Sequence, residues 1–396
     1  MILYDPSVIP IYREYGIMLP IAPDRGKQVL NFLDENNILN KYSVMDFFSA
    51  KENLIQTAPD LLCENLNKLT LTKKDIERIH SKKYVDDLYG DGLCAALLRT
   101  FELIDADGKP RRYEPDRAIK PLTDLFQLLI AQTEGTYLAC LLALFRGGFC
   151  FYLGGGMHHA RYDTGSGFCL VNDVAAAAFK IVFEAPFRNL IDAPFIWIID
   201  LDAHKGDGTA ELIHFARARG EMRSIIRMQA NPHARSSCEN YAQLSSPNKP
   251  CILSLSIHMA KGWPLDKESI ASAEAGRAPL LPSDVDIGID AGEEGEYTAR
   301  LAEGIGKLEK LSAGIFGDSR KPDIVLVADG ADPYEHDALP STSLLRLTLD
   351  QCVERDIFVY RYLRERGIPS AWIQSGGYGE RAWEPPAYFL KNLMLN

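Results

Sequence analysis

A continuous apolar run, Phe195 to Ile199, ends abruptly in Asp200, Asp202, His204 and Asp207, with Gly206 and Gly208 between them. In extended chain, residues two apart point to the same side, so Asp202 and His204 present a carboxylate and an imidazole that can share one metal ion. Asp200 and Asp207 remain free to accept an imidazole N–H, an arrangement that fixes the tautomer and raises the ring's basicity. Asp-x-His alone is more often a polar turn after a strand, but three further segments change that balance. Residues 154–160 read Gly-Gly-Gly-Met-His-His-Ala. The adjacent His158 and His159 suit general acid/base work, because imidazole titrates near neutral pH. Residues 328–334 read Ala-Asp-Gly-Ala-Asp-Pro-Tyr after another apolar run, and Asp332 can complete a site of one histidine and two carboxylates. Residues 375–379, Ser-Gly-Gly-Tyr-Gly, let the backbone carry Tyr378 into a cleft, where its hydroxyl can donate to a developing oxyanion.

Each segment follows a predicted strand. Strands are expected at 148–153, 195–200, 252–257, 323–328 and 370–374. Short apolar runs bounded by glycine or polar residues are typical of strands buried on both faces of a parallel sheet. Helical spacing is expected over 27–36, 122–145 (one or two helices, interrupted at Gly135), 171–183, 209–219, 296–311 and 343–366, with a helix and turn around 75–88. Residues 103–120, 228–249 and 260–295 read as loops, which in compact folds often carry function. Strands alternating with helices mean an α/β fold with a mostly parallel sheet covered by helices on both faces. Ligands of such sheets bind beyond the carboxyl ends of the strands, where all four polar segments lie. No repeat or flexible linker divides the chain, so one domain over residues 1–396 is expected.

The chain has 396 residues, 46% of them hydrophobic, enough for a large core. Its net charge of −11 argues against a nucleic-acid footprint and tolerates cationic substrates. Its eight cysteines show no Cys-x-x-Cys spacing, which argues against a structural zinc cluster and a disulfide framework and favours a reducing compartment. The N-terminus lacks a signal-peptide pattern, and no stretch reads as a membrane span. The expectation is a soluble cytoplasmic protein that contacts neither membrane nor nucleic acid.

Taken in order, Gly-Gly-Gly-Met-His-His, Gly-Phe-Cys, Asp-Leu-Asp-Ala-His-x-Gly-Asp-Gly, Gly-Ala-Asp-Pro-Tyr and Ser-Gly-Gly-Tyr resemble the histone deacetylase family. The resemblance runs from about His80 to Tyr378. Asp-Leu-Asp-Ala-His and Gln-Thr-Glu-Gly-Thr at 132–136 look closest to class IV and bacterial members. It implies an eight-stranded arginase/deacetylase fold and a zinc-dependent deacetylase removing acyl, foremost acetyl, groups from lysine side chains. Acetylpolyamines or another small acylated amine are the alternative substrates. Carried over by motif, Asp202, His204 and Asp332 would hold one Zn2+, for which iron(II) or cobalt could substitute. His158 and His159 would be the active-site histidines, backed by Asp200 and Asp207, and Tyr378 would polarise the carbonyl. Phe168 and Gly167 would line the acyl-lysine channel, with Trp263 a candidate for the opposite wall. A structural K+ would involve Asp200, Asp202, His204 and Ser256. Three features depart from the pattern. Lys205 stands where many members have a second histidine, the excursion at 228–249 is long, and the acidic residue that grips substrate is open among Asp105, Asp107, Glu114 and Asp116. A binuclear manganese ureohydrolase shares the fold but needs carboxylates where Gly206 and Gly330 stand, and a non-catalytic binding protein would not need every polar role filled.

Overall fold

The apolar runs form the middle of one sheet. In the computed structural model, which describes residues 1–58, 69–105, 107–183, 193–223, 249–266 and 280–394, eight strands pair only in parallel. They are β1 (Ile2–Leu3), β2 (Val44–Met45), β3 (Phe149–Tyr152), β4 (Phe195–Asp200), β5 (Cys251–Met259), β6 (Val285–Ile289), β7 (Ile324–Asp329) and β8 (Ser370–Gln374). Their spatial order is β2-β1-β3-β8-β7-β4-β5-β6. The α/β parallel architecture read from the sequence is the one observed.

Strand β4 shows why these runs carry no polar alternation. Ile196 and Ile198 enter one core, and Trp197 and Ile199 enter the other, so both faces are covered. Helices Phe47–Thr57, Leu125–Leu142 and Asp173–Phe183 pack on the first face. Helices Arg25–Glu35, Tyr297–Phe316, Leu349–Glu365 and Glu384–Leu393 pack on the second.

Several expectations are corrected. Gly135 does not interrupt its helix, which is continuous from Leu125 to Leu142. A Cβ there would stand 2.3 Å from the Tyr152 ring and 2.5 Å from Phe47, so glycine permits the helix to lie close on the sheet. The same segment, Leu122–Gly147, is long and apolar enough to cross a bilayer, contrary to the expectation that no such stretch exists; here most of it is buried between neighbouring helices and the sheet. Strand β6 sits inside the stretch read as loop. It is an edge strand with Asp286 exposed and Gly288 half-buried, so its short hydrophobic alternation is weak. Strands β1 and β2 are two residues long, too short for a pattern. The helix expected over 343–366 begins only at Leu349, after a Thr348 cap whose hydroxyl accepts from the Gln351 N–H. The excursion at 228–249 lies outside the described residues except for Lys249.

Candidate active site

The loops after β3, β4, β7 and β8 converge because these strands are neighbours in the middle of the sheet. They bring Asp202, His204 and Asp332 together. One ligand atom from each lies within 4.8 Å of the others, and all three residues are buried. His204 Nδ1 is 3.0 Å from Asp332 Oδ2 and 3.3 Å from Asp202 Oδ1. Its Nε2 faces Ser341 Oγ at 3.1 Å, which leaves Nδ1 as the metal-facing atom. The ligand loops are stitched to one another through backbone donors. Gly376 N–H donates to Asp202 Oδ2 at 2.8 Å, and Ala203 N–H donates to Asp332 Oδ1 at 2.9 Å.

Two buried like charges this close are costly without a cation between them. Burial and the neighbouring Asp202 charge push Asp332 up to about 6. Burial acts on Asp202 in the same direction but is outweighed by His158 and His204, which hold it well below the usual carboxylate range. A buried triangle of two hard carboxylate oxygens and one imidazole nitrogen fits a divalent zinc-type ion with open positions.

Behind this triangle stand two imidazole–carboxylate pairs. His158 Nδ1 lies 2.7 Å from Asp200 Oδ2, and His159 Nδ1 lies 2.8 Å from Asp207 Oδ1. The two rings are 3.9 Å apart between centroids, yet their protonation is driven in opposite directions. Burial disfavours the charged form of His158, but Asp200 and Asp202 outweigh it and raise the ring to about 10. For His159, burial and the His158 charge prevail over Asp207, lowering it to about 4. His158, His159 and Asp202 also form a possible donor set. Both Nδ1 atoms are already occupied by carboxylates, which suits proton handling better than ligation.

A cavity of about 520 Å³ opens above these groups and is lined by His159, His204, Gly167, Phe168, Trp263 and Tyr378, among others. His158 is not in its wall. Phe168 meets Tyr378 edge-on at 6.1 Å, and Trp263 meets His159 at 4.6 Å and His204 at 5.5 Å between centroids. Gly167 is required where it stands. Its φ is +53°, and a Cβ would sit 2.5 Å from Trp263 and 2.6 Å from His159. Burial, with Asp332 and Asp202 adding to it, raises the Tyr378 hydroxyl well above its ordinary value, so it remains a donor.

The four acidic residues considered for gripping substrate are not in the cavity wall. Asp105 closes its own loop by accepting from Asp107 N–H and Lys109 N–H, and Glu114 pairs with Arg117 at 2.9 Å. Glu102 lines the mouth instead, paired with Arg112, whose guanidinium lies over the Phe168 ring at 5.3 Å. Lys205, in the position of the expected second histidine, is buried and paired with Asp286 of β6.

The sequence places Asn172 and Asp173 beside the histidine segment, but their contacts, and the part played by Arg25, emerge only in three dimensions. Asp173 accepts from Gly156 N–H at 2.8 Å and Met157 N–H at 2.6 Å, and thereby shapes the turn that leads into the histidines. Asn172 Nδ2 donates to the carbonyls of His158 at 2.9 Å and Ala160 at 3.2 Å. Their place just after Gly-Phe-Cys was a usable signal. Arg25 gave none, yet its guanidinium holds the carbonyls of Ser375 and Gly377 at 3.0 and 3.2 Å, beneath Tyr378.

This fold and this site define a class: a parallel α/β protein with a buried Asp-His-Asp centre and two adjacent His–Asp pairs, one of them in the wall of a cavity. Residues 19–387 match the family described as histone deacetylase domain, and the chain belongs to that family. Histone deacetylase 2 of Arabidopsis thaliana is 25% identical over 325 residues, covering 82% of this chain and 66% of that protein. An uncharacterized protein of Picosynechococcus is 28% identical, covering 64% of each chain. The acetoin utilization protein AcuC of Staphylococcus aureus is 30% identical, covering 59% of this chain and 46% of its own length. The chain thus spans less than two thirds of the length of these curated relatives.

Proposed function

We propose that the protein is a deacetylase that hydrolyses acyl-lysine amides with a single divalent ion, foremost zinc, held by Asp202, His204 and Asp332. Membership of the histone deacetylase family supports the deacetylase class. The observation that carries the reading is the geometry of two adjacent imidazoles, each with its Nδ1 on a buried carboxylate, beside a buried Asp-His-Asp centre. A bound divalent ion would supply Lewis-acid polarisation of the acyl carbonyl and acidify a water molecule.

The chain's own residues supply the rest. His159 lines the cavity, and Asp207 takes its Nδ1–H, so neutral His159 has Nε2 free to accept a proton from the attacking water. Tyr378 O–H donates to the oxyanion that develops at the acyl carbon. His159, now charged, returns its proton to the departing amine, and the products are a carboxylate and a free amine. His158, behind the cavity wall, stays an imidazolium whose charge favours the anionic transition state. Phe168, Gly167 and Trp263 line the cavity, and the two aromatic rings offer apolar surface that suits an extended alkyl stem. Asp200 lies opposite Ser256 in the β4–β5 register, a carboxylate and hydroxyl pair compatible with a structural potassium ion.

The reading is tested by incubating the zinc-loaded protein with Nε-acetyl-lysine peptides and, separately, with acetylated polyamines. Acetate release from peptides at the higher kcat/KM supports it. A clear preference for polyamines would move the substrate to the small-amine class, and release from neither would overturn the deacetylase assignment.

A further inference from the structure

The centre of helix Leu349–Glu365 carries a guanidinium, Arg355, that is 0% exposed and lies beneath the ligand loops rather than in the cavity. Each of its nitrogens is committed. Nε donates to Asp356 Oδ1 at 2.6 Å and Nη2 donates to Asp329 Oδ1 at 2.7 Å. Nη1 donates to two backbone carbonyls at once, Leu201 O at 3.0 Å and Gly330 O at 3.1 Å. Leu201 immediately precedes Asp202, and Gly330 lies two residues before Asp332. One nitrogen therefore spans the two loops that carry the carboxylates of the Asp-His-Asp centre.

The loops touch where this nitrogen joins them. A Cβ added at Gly330 would stand 2.6 Å from Asp202 Cα and 2.8 Å from Asp202 Oδ2, so the backbones are in contact. Without a positive group beneath, two carbonyl oxygens and two carboxylates would face each other in a buried space, leaving the bond from Ala203 N–H to Asp332 to hold the loops together against that repulsion. The planar fork of arginine can satisfy four acceptors in fixed directions, whereas a lysine ammonium has three donors and no fixed plane.

We propose that Arg355, oriented by Asp329 and Asp356, is a positioning residue that sets the separation of Asp202 and Asp332 and thereby the affinity of the centre for a divalent ion. This rests on the metal reading given above. It adds a role for residues on a helix outside the cavity that none of the sequence motifs includes. Residues that orient metal ligands from outside typically change affinity about 10–100-fold when replaced, and that is the size expected here.

The experiment uses the full chain stripped of metal and titrated with Co2+. Its visible absorption reports ligand geometry without any activity assay, and a competing chelator gives the dissociation constant. Arg355→Lys is compared with Arg217→Lys. Arg217 is a second buried arginine, bonded to Asp284 and the Ile252 carbonyl rather than to the ligand loops. The expectation is Co2+ binding weakened about 10–100-fold, with an altered absorption band, in Arg355→Lys only. Both variants should lose thermal stability in the metal-free form. An Arg355→Lys protein that is less stable but binds Co2+ as tightly as the unaltered chain, with the same spectrum, would overturn the proposal and leave a purely structural arginine. Should Arg355→Lys fail to fold, Asp356→Asn decides by the same titration. It keeps side-chain size while removing the charge that orients Nε, so weakening of threefold or more supports the proposal and unchanged affinity refutes it. If the unaltered chain itself bound no Co2+, the metal reading of the site would fail first, an outcome distinct from failure of the Arg355 role.

Discussion

Asp200 Oδ2 occupies the space that a side chain at Gly206 would need, since a Cβ there would fall 2.1 Å from that oxygen. The consequence is a limit on metal stoichiometry. A binuclear site of this fold would need a bridging carboxylate two residues beyond His204, and that position is filled by the oxygen that orients His158. The other position required for a second ion, Gly330, is equally closed by Asp202. Two divalent ions about 3.5–4 Å apart repel strongly without bridging anions. Protein prepared without chelator is therefore expected to contain close to one equivalent of zinc or iron per chain, lost in Asp202→Ala or His204→Ala. Two tightly held ions, with urea released from a guanidino substrate, would place the chain among the ureohydrolases instead.

Tyr378 lines the cavity but does not belong to the donor triangle. Replacing it with phenylalanine should lower kcat by about 10²–10³-fold, the size expected for loss of one oxyanion donor. Metal content should not change. The backbone contacts that hold it, Tyr378 N–H to Asp337 Oδ2 at 2.7 Å and Ala338 N–H to the Tyr378 carbonyl at 3.1 Å, survive the substitution. Near-full activity in Tyr378→Phe would remove the residue from the mechanism.

The histidine pair predicts the pH profile. His159 must be neutral, so activity should fall at the acid end as it gains a proton near its lowered value of about 4. His158 should remain charged through the neutral range, and activity should decline as it loses its proton, with a limb below about 10 because a divalent ion nearby opposes its charge. The resulting kcat/KM profile is bell-shaped with a broad top. Asp207 raises His159, so Asp207→Asn should move the acid limb to lower pH. Asp200 raises His158, so Asp200→Asn should move the alkaline limb down. Limbs that stay in place in both variants would show that other groups control the profile.

Much of this centre was legible because each chemical group sits within a few residues of a strand end. Apolar runs locate the strand ends, and the glycines beside them announce where backbones approach closely. Asp200, Asp202, His204 and Asp207 are a single eight-residue stretch; alternation puts the first three on one side, and their division between His158, His159 and the donor triangle was implied by the family resemblance. Groups that act from far away left no such trace. Arg25 reaches the Ser375 carbonyl across 350 positions of sequence, and an isolated arginine on a helix reads as solvated. Arg355 likewise lies on a helix whose other face is charged. The edge strand β6 was lost inside a loop-rich stretch because only alternate residues are buried. Glu102, which lines the cavity, lies one position before the charged stretch read as a loop.

The last prediction concerns stability rather than catalysis and turns on His80, which is 1% exposed. Its Nδ1 lies 2.7 Å from the Arg161 carbonyl, and its Nε2 accepts from Asn172 N–H at 3.2 Å. Both contacts are satisfied by one neutral tautomer, with the proton on Nδ1. Protonation of Nε2 would turn an acceptor into a donor facing the N–H of Asn172, the residue that also holds the His158 and Ala160 carbonyls. Burial lowers His80 to about 4, with the Arg161 carbonyl opposing the shift in part. The folded value lies below the ordinary one of 6.5, so the unfolded chain takes up the proton first. The His80 contribution is fully present above about pH 6.5 and is lost as pH falls through 4, a difference of about 2–3 kcal/mol by pH 4.5. His159, also lowered, acts in the same direction, so the comparison must isolate His80. Urea unfolding of the unaltered chain and of His80→Gln at pH 7.5 and 4.5 does so. The variant should be less stable at pH 7.5, yet lose about 2–3 kcal/mol less on acidification, because glutamine does not titrate. Equal losses in the two proteins would mean that His80 takes up its proton over the same pH range in the folded and unfolded chain, or that its surroundings open before it titrates.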